Sequence, residues 1–198
     1  MSTIIKAIKE VLYDTWPMIL LSCVVLIIIR IAYLYKNNQK LIVSKEIMSL
    51  TFVVYILCMF QIVTSQDVSS VHGVNITLFK ELTRYQVGTK LFYRNIIGNI
   101  IMFVPFGFFS SYYLKLSKKS FVFFLTFIVS IVIECIQLKI GRAFDVDDII
   151  LNMVGSLCGY YLYRLADNMV GDLSETIKGT LTIIAVLVGV IIMAIIII

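Results

Sequence analysis

Three pairs of polar residues interrupt long apolar stretches of this chain: Asn95 with Asn99, Glu134 with Gln137, and Asp148 with Asn152. Their members are three or four positions apart, so on helices each pair projects from one face. The segment KIGRAFDVDD between the second and third pairs adds Arg142, Asp145 and Asp147. The set combines a cation, several carboxylates and several amides, and a polar headgroup would find both donors and acceptors in it. An enzymatic use is also open. Asp145, Asp147 and Asp148 could hold a divalent cation through oxygen ligands, and Arg142 could hold phosphate. Glu134 could act as acid or base, with Asp148 as the other candidate catalytic residue. Against that use, none of these positions is a histidine, and no DxxxD or nucleophile–base pairing accompanies them.

Glu134 stands apart because it lies about one helical turn inside the apolar limit of its stretch. An ionisable group at that depth is costly unless paired or hydrated, and it faces a partner or a cavity. Pairing with Arg142 or Arg94 would make it a lock between helices. Otherwise it belongs to a ligand-binding or catalytic site.

Composition dictates the elements that must position these residues. Of 198 residues, 60% are hydrophobic and 15% charged, whereas an ordinary soluble domain carries about 25% charged residues. A soluble fold of this size would leave much of that apolar surface facing water, so lipid is the solvent that fits. Apolar stretches long enough to cross a membrane run at about 17–35, 46–63, 93–114, 120–138, 148–164 and 179–198. The expected fold is an all-α integral membrane protein, a bundle of about six transmembrane helices whose third span is kinked near Pro105 and Gly107. Residues 3–16 read as an interfacial amphipathic helix, with Trp16 as a headgroup-level anchor and Pro17 in the first turn of the first span. The organisation is then 1–64 for the amphipathic helix and two spans, 65–164 for a core with an external loop and three spans, and 165–198 for a connector and the last span.

The remaining residues have plainer readings. The net charge of +5 is scattered through connectors instead of forming one basic surface, which argues against a nucleic-acid partner. Cys23, Cys58, Cys135 and Cys158 lie in apolar stretches without CxxC spacing and read as small buried hydrophobes. His72 has no second histidine or cysteine beside it, so no metal role is expected there. Gly98, Gly107, Gly155 and Gly159 read as helix-packing positions, the last two in a small-xxx-small spacing. Arg30 reads as snorkelling to the headgroups, and Tyr112, Tyr113, Tyr160, Tyr161 and Tyr163 as an aromatic belt.

The start of the third span, the end of the fourth and the start of the fifth share one side of a membrane, whichever way the chain inserts. Three lysines in each of the connectors after spans one and three assign those connectors to the cytoplasm. The polar cluster is then expected to be extracytoplasmic.

The segments NITLFK, RNIIGNIIMFVPFGFF, ECIQ and GRAFDVDDIILNMVGSLCGYYLY, in that order, closely resemble the VanZ-like membrane family, named for a protein of teicoplanin resistance. The resemblance covers roughly residues 75–164 and falls on Asn95, Asn99, Pro105, Gly107, Glu134, Gln137, Arg142, Asp145, Asp148, Asn152 and Gly155. Leu78 departs from it, since many relatives carry proline there. The resemblance implies a multi-pass protein of the bacterial cytoplasmic membrane, in Gram-positive organisms, linked to tolerance of teicoplanin-like drugs. The expected partners are membrane lipids and a lipid-linked cell-wall precursor or lipoglycopeptide, bound through Asn95, Asn99, Glu134, Gln137, Arg142, Asp145, Asp148 and Asn152. Two alternatives stay open: an enzyme modifying a lipid-linked phosphate or saccharide, with a divalent cation as candidate cofactor, and a small lipid transporter or flippase.

Overall fold

Apolar segments in lipid satisfy their backbone groups only by helical hydrogen bonding, and the chain is mostly helical. The computed structural model describes residues 2–65, 73–79, 83–84, 86–89, 92–170, 177 and 180. Helix α1 spans Ser2–Lys36 and α2 spans Val43–Ser65. A π-helical turn, Tyr93–Ile97, leads into α3, Gly98–Leu114. Helix α4 covers Lys119–Lys139 and α5 covers Val146–Val170. Four of the described helices are long and apolar enough to cross a membrane, over Trp16–Lys36, Lys45–Thr64, Asn95–Leu114 and Lys119–Lys139.

Several expectations are refined. The interfacial segment and the first span are one helix, continuous through Pro17, because proline fixes φ near its helical value and removes only its own donor. The third span is irregular at its start, in the π turn, while α3 runs on through Pro105 and Gly107. Helix α5 forms where the fifth span is expected but is not among the four most apolar helices. Its inner face is covered by protein: Asn152, Ser156 and Gly159 are buried, so that face need not be lipid-like. The sixth span at 179–198, apart from residue 180, and His72 lie outside the described residues. Cys135 and Cys158 are exposed on the outer faces of their helices; a lipid-facing surface accepts small apolar side chains as readily as a core does.

Helix α3 is the centre of the protein, with half of its span buried, against 6% of the first span. It lies closest to α5, and glycine sets that distance. A Cβ on Gly107 would run into the Ser156 backbone, one on Gly155 into Ile100, and one on Gly159 into Val104, as small-residue helix contacts require. Met59, Val63, Phe103, Phe106 and Ile133 form an apolar cluster joining α2, α3 and α4. The one departure from an all-helical fold among the described residues is a short parallel pair, β1 (Val74–Asn75) beside β2 (Phe144–Asp145), with Asn75 in register with Asp145.

Candidate functional site

The end of α4 shapes the site. Gly141 N–H donates to the Leu138 carbonyl at 3.3 Å and Arg142 N–H to the Gln137 carbonyl at 2.9 Å, the two bonds of a Schellman turn. That turn needs a left-handed residue, and Gly141 supplies it at φ 89°. The chain therefore doubles back, and Arg142 returns to the last turn of α4.

The next turn opens α5. Asp145 Oδ1 accepts the Asp147 N–H at 2.9 Å, which is the bond an N-cap carboxylate makes. Asp147 and Asp148 follow in the first turn of the helix, where its dipole favours negative charge.

Glu134 lies beneath both turns and is 1% exposed. Its Oε2 accepts the Asp145 N–H at 2.8 Å. With the Gln137 amide turned so that both of its ends are satisfied, Glu134 Oε1 accepts its nitrogen at 2.9 Å and its oxygen accepts Arg142 Nη1 at 2.5 Å. Arg142 Nη1 also donates to the Val63 carbonyl of α2 at 3.3 Å. Of the two cations open as partners for Glu134, Arg142 reaches it through Gln137, and the Arg94 side chain lies outside the described residues.

Two further contacts latch the preceding segment over this end. Asn75 Nδ2 donates to Asp145 Oδ2 at 2.9 Å, and the Phe79 N–H donates to Asp147 Oδ1 at 2.7 Å. Phe79 has a left-handed backbone, φ 63°, which is costly for a bulky residue and persists where surrounding bonds hold it. Asn99 Nδ2 donates to Asp148 Oδ1 at 2.6 Å and ties α3 to α5. One turn deeper, Asn152 Nδ2 donates to Ser130 Oγ at 2.8 Å and ties α5 to α4; its Oδ1 is buried with no partner among the described residues.

The site therefore has two tiers. Glu134, Gln137, Asp145, Asp147 and Asn152 are buried, while Asn95, Asn99, Arg142 and Asp148 are half-buried at the rim. Asn95 sits in the π turn at the same end and makes no side-chain hydrogen bond among the described residues. Among the described residues no three His, Cys, Asp or Glu side chains converge as a metal site would require. Asp145, Asp147 and Asp148 instead direct oxygens to Asn75, to the Phe79 N–H and to Asn99 respectively.

Two participants escape a reading by pairs. Ser130 is four residues before Glu134, and Thr126, Ser130, Glu134 and Gln137 make one buried polar stripe along α4; their i, i+4, i+8, i+11 spacing is the signal for it. Asn75 lies 70 residues from Asp145, and only its position in the NITLFK segment marks it.

Among family models, VanZ/LLP1 matches residues 46–167, one continuous span that takes in all but the first three residues of α2 and every residue of the site, Asn75 and Phe79 included. No curated protein and no solved structure matches the chain. With most of the chain covered by that match, including the three helix ends and the glycine-lined contact between α3 and α5, the protein belongs to the VanZ/LLP1 family.

Proposed function

We propose that this protein binds the headgroup of a lipid or lipid-linked molecule at the outer face of the bacterial cytoplasmic membrane, and thereby lowers the effect of teicoplanin-like glycopeptides. Family membership supports the link to glycopeptide resistance. The observation that carries the headgroup reading is the two-tier arrangement: a rim of Arg142, Asn99 and Asp148 held from beneath by the buried Glu134, Gln137 and Asp145. A preorganised guanidinium between amide and carboxylate neighbours suits a phosphate or a sugar hydroxyl. Lysines at the opposite helix ends support an outward orientation for this rim, with α5 and residues 179–198 as the fifth and sixth spans.

The test is teicoplanin susceptibility in cells carrying the wild-type protein, Arg142→Ala or Glu134→Gln at equal membrane levels. Both variants are expected to lose the resistance that the wild type confers. Full resistance from both rejects the site.

A further inference from the structure

At the other membrane face lies a second feature, a half-open cavity of about 920 Å³ between the end of α1, the start of α2 and the ends of α3 and α5. Its size is that of a small-molecule site. Its walls divide by chemistry: Leu26, Ile27, Leu50 and Val53 form an apolar side toward the middle of the membrane, and Arg30, Lys45, Lys115 and Arg164 supply cations. Glu46 and Asp167 are the acids on the lining, so positive charge is in excess by two.

Glu46 is already engaged: Arg30 Nε lies 2.8 Å from Glu46 Oε2 and 3.0 Å from Oε1. That pair, with the Tyr33 ring 5.4 Å from the guanidinium, holds Arg30 in place, while its Nη groups make no hydrogen bond among the described residues. Lys115 and Arg164 likewise make no side-chain hydrogen bond or ion pair among the described residues. Arg164 is half-buried, and a partly desolvated guanidinium without an acceptor is costly unless a ligand supplies one.

We propose that this cavity binds an anionic phospholipid, with its phosphate between Lys115, Arg164 and Arg30 and its acyl chain along the Leu26–Val53 wall. Cations above an apolar wall, between helices at a membrane face, match the amphiphilic form of such a lipid and its negative charge. A free phosphate would leave the apolar wall unused, and a zwitterionic lipid would not offset the excess cations. This inference does not depend on the headgroup site, which lies at the opposite helix ends.

The experiment is native mass spectrometry of the full-length protein in detergent, titrated with dioctanoyl phosphatidylglycerol, dioctanoyl phosphatidylcholine or inorganic phosphate. Saturable binding of phosphatidylglycerol alone is expected. Lys115→Ala with Arg164→Ala is expected to weaken it on the order of 30-fold, two cations being lost. The milder Lys115→Gln, at an exposed position beyond α3, is expected to weaken it about fivefold and serves if the double variant does not fold. Lys119→Ala, which removes a cation of the same face outside the cavity, is expected to change nothing. Equal binding of the two lipids, phosphate binding as tight as lipid, or equal losses in Lys119→Ala and Lys115→Gln would each overturn the proposal.

Discussion

Asp145 joins three parts of the protein through one residue: it caps α5, accepts the Asn75 amide and donates its N–H to Glu134. Asp145→Ala should therefore remove a cap and leave Asn75 without its acceptor, at a cost of about 1–3 kcal/mol. The measurement is the melting temperature of the purified protein in detergent. A clear fall is expected for Asp145→Ala and a smaller one for Asn75→Ala, which removes the latch and the bond from the Thr77 N–H but leaves the α5 cap in place; unchanged melting in Asp145→Ala contradicts this role. Residue types and helical spacing made much of the site legible in the sequence. Asn99 meets Asp148, and Glu134 and Gln137 act together. The Asn75 latch was not legible, because it depends on how a loop returns across a membrane face and leaves no periodic trace. Arg142 was one of two cations open as a partner for Glu134; that Gln137 stands between them was not legible, because charge and spacing alone do not show an amide serving both.

At the scale of elements, the α3–α5 contact rests on glycines whose replacement by any residue with a Cβ meets backbone. Gly107→Ala adds one methyl group, yet the Ser156 backbone must move to admit it. Overpacking of this kind costs about 1–3 kcal/mol, so Gly107→Ala should melt at a lower temperature than the wild type. Wild-type melting would show that the two helices can separate without loss. Gly155 and Gly159 were readable from their small-xxx-small spacing, and Gly107 stood beside them only as a packing position without that signal. The extent of α1 was less so: Trp16 and Pro17 resemble a boundary, but a proline inside a long apolar helix removes a single bond and the chain continues through it. The modest apolarity of α5 has the same kind of origin, since hydropathy reports what faces lipid and half of this helix faces α3 and α4.

Across the whole molecule, polarity concentrates at the two ends of the helix bundle and differs in kind between them. One end holds a hydrogen-bonded set of carboxylates and amides around Arg142; the other holds cations beside an apolar wall. The first is the basis of the proposed headgroup contact, and Arg142 is its cation. The most direct test of that claim is the affinity of a lipid-linked cell-wall precursor for the full-length protein in nanodiscs, compared between wild type and Arg142→Ala. Loss of a charge-assisted bond predicts binding about tenfold to a hundredfold weaker in Arg142→Ala, with Lys119→Ala, at the far end of α4, binding as the wild type does. Equal affinity of Arg142→Ala and wild type would contradict the account.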